Sequence, residues 1–383
     1  MNKIPMLDLK LEYEYMKADI DSAISKCLNH QQWILGPEVK ELEEKVASYT
    51  GIKYCIGTSS GTDALVLALR AIAIKTKNQQ YFNRNDKIIT TPFTFTATGD
   101  SILRSGATPV FVDIVPGTFN IDPVRIKQYL ADPNVHGVIG ILPVHLFGQA
   151  CDMDAIMDIA AHHHLFVLED VAQAFGAMWK NQKLGSIGSA GTFSFFPSKT
   201  LGGFGDGGMI ATNDDNIAEL ARMLLKHGGK DKYNAYHIGY NARLDTLQAA
   251  ILLAKLRYVN EFNERRRQIA EFYSNYFSNN ESFAPPVSLS DAYHVYHQYT
   301  IKIANGKRNA LQKYLNEVQI ASMIYYPVAL HNMKVFNENS ITADSLSISE
   351  RMVEQVLSLP VEPLLHKSQL EHIVTSLLKF LDS

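Results

Sequence analysis

The chain has 383 residues, of which 46% are hydrophobic and 20% are charged, and its formal net charge is −3. This composition is typical of a globular protein with a sizeable core, and the small net charge gives no general attraction for nucleic acid or an anionic membrane. Three widely spaced cysteines form no disulfide or zinc-binding pattern. The sequence contains no secretion signal and no membrane-spanning run of ~18 apolar residues, so we expect a cytoplasmic protein.

Up to about residue 243, short apolar segments alternate with helical patterns. The segment KYCIGTSSGTDALVLALRAIAI predicts a strand, a turn and a helix, and DKIITTPFTFTATGDSILRSG repeats this order. Further strands are predicted in ATPVFVDI, VHGVIGILPV, LFVLED, GTFSFF and GGMIAT. Such alternation indicates an α/β domain with a parallel sheet, which binds ligands at the carboxyl ends of its strands. The polar segment KTKNQQYFNRND (75–86) predicts an exposed loop.

The pattern changes after Leu244, where LDTLQAAILLAKLRYVNEFNERRRQIAEFYSNYF predicts one long helix or two in succession. A turn-rich segment, NNESFAPPVSLSDAYH, follows it, and the remainder mixes strands such as YHQYTIKI with helices such as SQLEHIVTSLLKFL. We therefore predict a large α/β domain over residues 1–255, including an N-terminal segment, and a smaller α+β domain over residues 256–383.

Functional side chains follow several of the predicted strands. The strand LFVLED ends in Asp170, and FSFFPSKTLGGFGDGG places Lys199 after a strand that carries Ser194. Taken alone, Lys199 could be a solvated lysine in a surface turn. A lysine is rarely buried without a partner, however, and the glycines after it allow a close approach of the backbone.

The strand ends together match one kind of cofactor. The start of the helix in SSGTDAL is suited to bind an anion, and PFTFTAT offers aromatic rings beside the carboxylate and the lysine. Pyridoxal 5'-phosphate (PLP) requires a lysine for its Schiff base, an acidic partner for its ring nitrogen and a site for its phosphate. The sequence therefore predicts a PLP site at this edge of the sheet.

Over nearly its whole length the chain resembles a known family, the DegT/DnrJ/EryC1/StrS nucleotide-sugar aminotransferases. The resemblance is carried by WILGPEVKELEEKVASYTG, GTSSGTDAL, PFTFTAT, GATPVFVDI, EDVAQAFGA, FSFFPSKTLGGFGDGG, NARLDTLQAAIL and IYYPVALH. It implies an aspartate-aminotransferase-like fold (PLP fold type I) and a homodimer whose two active sites are shared between subunits.

The resemblance also implies roles for individual residues around the cofactor ring. Lys199 would be the Schiff-base lysine, and Asp170 the partner of the pyridine nitrogen. Phe95 would stack on the ring, and Gln173 would lie near the 3-hydroxyl group.

The cofactor phosphate would be held by residues from both subunits of the dimer. Ser194 and the backbone of Gly61 and Thr62 would bind it from one subunit, and Asn241 would reach the phosphate of the partner's cofactor. No metal is expected, and the HHH segment at residues 162–164 fits solvated histidines at a helix end.

The family resemblance implies transfer of an amino group from L-glutamate to a nucleotide-linked keto sugar, for amino-sugar and surface-glycan (lipopolysaccharide or O-antigen) biosynthesis. Lys199 favours transamination over the dehydration performed by a sister group that has histidine there. The segment YHIGYNARLDTLQAAIL favours reaction at C3 over C4, and both remain open, as does a non-catalytic PLP-binding regulator. The candidate substrate residues are Arg243, Tyr325, Tyr326 and His331, and Trp33 is either a core residue or part of a nucleotide pocket.

Overall fold

A computed structural model describes residues 3–231, 233–277 and 282–381. The helices are α1 (Leu9–His30), α2 (Pro37–Thr50), α3 (Gly61–Lys77), α4 (Thr96–Arg104), α5 (Pro123–Ala131), α6 (Met153–His162), α7 (Asp215–Leu224), α8 (Thr246–Leu256), α9 (Val259–Phe277), α10 (Arg308–Glu317), α11 (Lys334–Asn337), α12 (Ser347–Gln355) and α13 (Lys367–Leu381). None of these helices is both long enough and apolar enough to cross a membrane, within the residues that the structure describes.

The strands are β1 (Tyr54–Thr58), β2 (Lys87–Thr90), β3 (Thr108–Phe111), β4 (Val138–Ile141), β5 (Phe166–Asp170), β6 (Met178–Trp179), β7 (Gln182–Lys183), β8 (Ala190–Ser194), β9 (Gly208–Thr212), β10 (Phe283–Ala284), β11 (Ala292–Tyr293), β12 (Tyr299–Ile303), β13 (Ile341–Thr342) and β14 (Val356–Leu359). In the described residues, the large sheet has the order β1-β9-β8-β5-β4-β2-β3-β13. In the part of the sheet that runs β8-β5-β4-β2-β3-β13, every pair of neighbouring strands is parallel. Strand β9 is antiparallel to both of its neighbours, β1 and β8. The predicted α/β fold with a mostly parallel sheet is confirmed.

A separate apolar core covers each face of the large sheet. Successive residues of β9 alternate between the two cores, because Met209 packs in one and Ile210 in the other. Val167 and Leu168 of β5 alternate in the same way. Since side chains along a strand point to opposite faces, a sheet covered on both faces requires strands that are apolar throughout. This explains the continuous apolar runs in the sequence.

The structure refines the prediction of one helical segment and corrects the prediction of one loop. The segment after Leu244 forms two helices, α8 and α9, which are separated at Arg257 and Tyr258. The prediction of an exposed loop over residues 75–86 was wrong in two respects. Helix α3 continues to Lys77, and Phe82, which we expected to be exposed, is buried. An apolar side chain inside a polar segment anchors this loop to the core.

The C-terminal part has its own small sheet, ordered β10-β12-β14, which packs against α9, α10 and α13 through a third apolar cluster. Two other short strands of the C-terminal part pair with strands of the N-terminal part: β13 pairs with β3, and β11 pairs with β6. Asp113 also accepts hydrogen bonds from the backbone amides of Ile348 and Ser349 (both 2.8 Å) at the start of α12. We propose that the boundary between the two domains lies at residue 255, near the end of α8.

Candidate active site

A cavity of about 680 Å³ lies at the carboxyl ends of β5 and β8, between the large sheet and the C-terminal part. Its volume is in the range usual for small-molecule sites. Most of the residues predicted from the sequence line it: Gly61, Thr62, Phe95, Asp170, Gln173, Ser194, Lys199, Tyr325 and Tyr326. Asn241, Arg243 and His331 do not appear in its wall.

Lys199 lies in the turn that follows β8, on the segment that reverses direction before β9. Its backbone amide donates to the carbonyl of Phe196 (2.8 Å), and the amide of Phe195 donates to the carbonyl of Gly207 (2.8 Å). Burial lowers the pKa of the Lys199 amine to about 8, although the nearby carboxylate of Asp170 acts in the opposite direction. The turn therefore presents an amine that loses its proton more readily than an ordinary lysine.

Asp170 is the last residue of β5, and its side chain is buried. Its Oδ2 accepts a hydrogen bond from the hydroxyl of Thr98 (3.0 Å), and its Oδ1 accepts one from the amide of Ala172 (3.1 Å). Burial raises the pKa of Asp170, while these two hydrogen bonds and the charge of Lys199 lower it. Each oxygen keeps a lone pair for a further donor, such as a protonated ring nitrogen.

Gln173 is held by hydrogen bonds at both ends of its amide group. Its Oε1 accepts from the backbone amide of Phe147 (2.8 Å), and its Nε2 donates to the hydroxyl of Tyr326 (2.8 Å). Because a backbone N–H can only donate, the contact to Phe147 fixes which end of the amide is oxygen. The Nε2 group has a second hydrogen, which is available to a ligand.

An anion site is formed where β8 and β9 meet the start of α3. The amides of Gly61 and Thr62 belong to the first turn of this helix, whose N–H groups have no acceptor within the helix. The two elements touch closely, since a Cβ on Gly61 would lie 2.7 Å from the Cβ of Ser194. A Cβ on Gly208 would lie 2.3 Å from the carbonyl oxygen of Ser60. Only glycine at these two positions allows Ser194 to lie beside the helix start.

These groups fit PLP in their chemistry. The cavity offers an amine, a buried carboxylate and an anion site, and the ring of Phe95 is 59% exposed in its wall. A planar ring with a phosphate at one end would use all four, with Lys199, Asp170, Phe95 and the Ser194 region as its partners.

The sequence did not predict the turn at residues 145–148, whose backbone amides hydrogen-bond residues of the site. Three consecutive backbone amides, those of His145, Leu146 and Phe147, donate to Asp170 O (3.0 Å), Asn120 Oδ1 (3.0 Å) and Gln173 Oε1 (2.8 Å). Thr98, His297 and Gln298 were also missed, although they line the cavity. The only sequence signal for His297 and Gln298 was the pair of histidines in YHVYHQ, and two nearby histidines do not by themselves indicate a binding site.

The remaining predicted residues lie outside the cavity of this chain. Asn241 is exposed, and its backbone forms a bridge with Lys226. The Nε of Arg243 is buried without a hydrogen-bond partner. His331 has its Nε2 3.2 Å from Glu350, on the C-terminal part. Trp33 is 39% exposed, which excludes the interpretation as a core residue.

Cys27, His30 and Glu38 form one cluster of metal-ligating types, with ligand atoms within 4.8 Å of one another. The His30 Nδ1 accepts a hydrogen bond from the amide of Gln32 (3.0 Å), so the neutral ring carries its proton on Nε2. That nitrogen is 3.0 Å from Glu38 Oε1 and donates to it. A hydrogen bond between His30 and Glu38 therefore accounts for the proximity of these two side chains.

Comparisons with known proteins agree with this geometry. The sequence profile of the DegT/DnrJ/EryC1/StrS aminotransferase family matches residues 14–378, and the chain belongs to this family. It is 42% identical to a "Pleiotropic regulatory protein" of Geobacillus stearothermophilus, over 98% of both chains. It is 39% identical to a dTDP-3-amino-3,6-dideoxy-alpha-D-galactopyranose transaminase of Aneurinibacillus thermoaerophilus, over 98% of this chain and 99% of that one.

The fold also matches solved structures. The structure of ntda from Bacillus subtilis, determined with the bound cofactor PMP, superposes with a TM-score of 0.90 at 29% identity. The match covers all of this chain and 86% of that one. The family is PLP-dependent, and PLP is therefore the cofactor of this chain.

Proposed function

We propose that this protein is a PLP-dependent transaminase that moves an amino group from L-glutamate to a keto group, at C3, of a nucleotide-linked sugar. The observation that carries the proposal is the convergence of Lys199, Asp170 and the anion site of Ser194 on one cavity. The 39% identity to a transaminase named for a 3-amino sugar supports the choice of C3. The product would enter amino-sugar and surface-glycan synthesis in the cytoplasm.

PLP, when bound, supplies an electron-withdrawing ring that stabilises negative charge at the carbon losing a proton. The protein residues orient that ring and move the proton. Asp170 would keep the ring nitrogen protonated, because its buried carboxylate lines the cavity and each of its oxygens can accept a further hydrogen bond. Lys199, whose amine has a pKa lowered to about 8, takes the proton from one carbon and returns it to another. Phe95 would stack on the ring, and Gln173 would lie near its 3-hydroxyl group.

A homodimer with shared sites is the second part of the proposal. The residues that the structure places in the cavity wall include no lysine other than Lys199 and no arginine, although both the cofactor and the substrate carry phosphate. Asn241 is exposed, and the Nε of Arg243 has no hydrogen-bond partner among the described residues. The loop between α1 and α2, which pairs with the backbone of Asp245 near Arg243, exposes apolar side chains that include Trp33 and Ile34. A second copy of the chain would cover this loop and contribute Asn241 and Arg243 to the site.

The substrate side of the cavity is formed by the segment with Tyr325 and Tyr326. Tyr326 is fixed by Gln173, whereas the hydroxyl of Tyr325 has no hydrogen bond among the described residues. Tyr325 is therefore the better candidate for contact with the sugar or nucleotide. His331 faces Glu350 and is proposed only as a support of this segment.

The function is tested with a panel of 3-keto and 4-keto nucleotide sugars, each offered with L-glutamate, by mass spectrometry of the product and by 2-oxoglutarate release. We expect amination of 3-keto sugars. An exclusively 4-amino product would overturn the position but keep the class of enzyme. Turnover of simple amino acid pairs with no turnover of any keto sugar would overturn the sugar as substrate.

The attachment of the cofactor is tested separately by borohydride reduction of the yellow holoenzyme, followed by peptide mapping. We expect the cofactor to become covalently fixed to Lys199. Its recovery on another lysine would contradict the assignment.

A regulator that binds PLP without catalysis is the second candidate, favoured by the name of the relative from G. stearothermophilus. The complete set of Lys199, Asp170 and Ser194 in one cavity argues against loss of catalysis. Absence of turnover with every keto sugar and every amino acid, in a protein that still binds PLP, would support this candidate.

A further inference from the structure

His297 is a polar side chain of the cavity wall that has no role in the proposed function so far. His297 lies on the segment just before β12, in the C-terminal part, and lines the same cavity as Lys199. It is 9% exposed, and its ring makes no hydrogen bond with any residue that the structure describes. No described residue uses the hydrogen-bonding capacity of this ring, so that capacity is available to a ligand in the cavity.

The ring nitrogens of His297 are open to the cavity. Fully buried side-chain nitrogens and oxygens that lack a partner occur, among the described residues, at Thr200, Arg243 and His331. The ring of His297 also has no hydrogen-bond partner among the described residues, but its nitrogens are not fully buried. They therefore keep some accessible surface. Since the residue is otherwise enclosed and lines the cavity, that surface faces the cavity.

The position of His297 is set by the turn at Phe147 and Gly148. The amide of Val295 donates to the carbonyl of Gly148 (3.0 Å), and the amide of Gln298 donates to the carbonyl of Phe147 (3.3 Å). Gly148 has φ +100°, and a Cβ there would lie 2.8 Å from the backbone nitrogen of His297. The same turn holds Gln173 through the amide of Phe147. It therefore sets the cofactor side and the His297 side of the cavity relative to each other.

Burial lowers the pKa of His297 well below its ordinary value, and the charges of Lys199 and Arg266 act in the same direction. The ring is therefore neutral, with one nitrogen that donates and one that accepts. A neutral ring is suited to an uncharged polar group and is a poor partner for a phosphate or carboxylate, which cationic groups bind better.

We propose that His297 is a specificity-determining residue that hydrogen-bonds a sugar hydroxyl beside the reacting carbon of the keto-sugar substrate. The proposal rests on the proposed function, because it names a substrate contact of that same site. The hydroxyl beside the reacting carbon fits best, since His297 and Lys199 line the same cavity.

The test uses the holoenzyme and follows its two half-reactions separately, through the absorbance of the cofactor. His297→Phe should leave the reaction with L-glutamate unchanged and lower kcat/KM for the keto-sugar nucleotide about tenfold, because one hydrogen bond to substrate is lost. His297→Gln, which retains a donor and an acceptor, should recover part of the loss. The loss should also shrink for a 3-keto nucleotide sugar that lacks the hydroxyl at carbon 4.

His294→Phe is the matched control. His294 lies three residues earlier and is also buried, but its ring stacks on Tyr296 at 3.7 Å and its Nδ1 accepts from the amide of Tyr296 (3.0 Å). It does not line the cavity. This variant should lower the melting temperature without a selective loss toward the sugar.

Two results would overturn the proposal. One is an equal loss in both half-reactions for His297→Phe, and the other is the same kinetics for His297→Phe and His294→Phe. If His297→Phe does not retain the cofactor, His297→Leu takes its place in the same comparison. Failure of the wild-type protein to aminate any keto sugar would instead refute the proposed function, and the role of His297 with it.

Discussion

The hydroxyl of Thr98 donates a hydrogen bond to Oδ2 of Asp170 across 3.0 Å, and both side chains are buried. Thr98 lies on α4 and Asp170 at the end of β5, so this contact joins a helix to the strand that carries the acidic residue. Because an ionised carboxylate in a buried site depends on its donors, we expect Thr98 to stabilise the negative charge of Asp170, which the proposed pairing with PLP requires.

Thr98→Val should therefore lower turnover about tenfold, because one donor to a buried carboxylate is lost while the shape is kept. The measurement is kcat at saturating substrates, together with the affinity for PLP. Ser101→Ala is the control, since Ser101 is a buried residue of the same helix whose hydroxyl donates to the carbonyl of Thr98 (2.9 Å). Equal kcat values for the two variants would contradict the role of Thr98.

Asp170→Asn should retain the fold but lose most of the catalytic activity. Removal of one partner of a buried ion pair costs about 3–5 kcal/mol, and here the cost falls on the protonated ring of the bound cofactor. Melting temperature measures the fold, and rapid kinetics of the reaction with L-glutamate measure the loss. Turnover close to that of the wild type would show that Asp170 does not pair with the ring nitrogen.

The pKa of Lys199 predicts how the cofactor-free protein responds to pH. This pKa is about 8 in the folded protein, whereas an ordinary lysine has a pKa of 10.5, so the unfolded chain binds more protons between these values. The stability of the folded state must therefore rise as pH increases from about 8 to about 10.5. Below pH 8 the folded protein retains the full cost of a buried ammonium group.

Lys199→Met should accordingly stabilise the cofactor-free protein at pH 7, by about 1–3 kcal/mol. This gain should narrow as pH rises toward about 10. Urea unfolding across this pH range measures it, with Lys40→Met, an exposed lysine of α2, as the control. A gain that is constant with pH would mean that the charge of Lys199 is not its cause.

A shared site predicts that two inactive variants restore activity when mixed. Each mixed dimer of Lys199→Ala and Asn241→Ala contains one site with both defects and one site with neither. Exchange of subunits should return up to half of the wild-type activity per mixed dimer. Light scattering checks the dimer, whose interface we expect to exceed about 2,000 Å². A fully active monomer would refute the shared site.

The sequence alone determined the class of fold and predicted the chemical centre of the site. Apolar runs alternating with helices required a covered, mostly parallel sheet, and polar residues at strand ends in such a sheet must meet at one edge. Lys199, Asp170 and Ser194 were predicted by this rule, because strand ends can be read from local patterns, and all three line one cavity. The resemblance assigned roles to Phe95, Gln173, Gly61 and Thr62, which line the same cavity.

Only the tertiary structure decided which distant segments complete the wall. Thr98 acts through a hydrogen bond to a residue 72 positions away, and His297 reaches the cavity because the turn at Phe147 and Gly148 binds its segment. Gln173 and Tyr326, 153 positions apart, meet in the same way. Such contacts depend on packing between elements that are remote in the chain, and no periodicity or spacing in a single sequence reports them. Phe82 shows the same limit, since its burial inside a polar loop is decided by the apolar surface that the folded core offers to it.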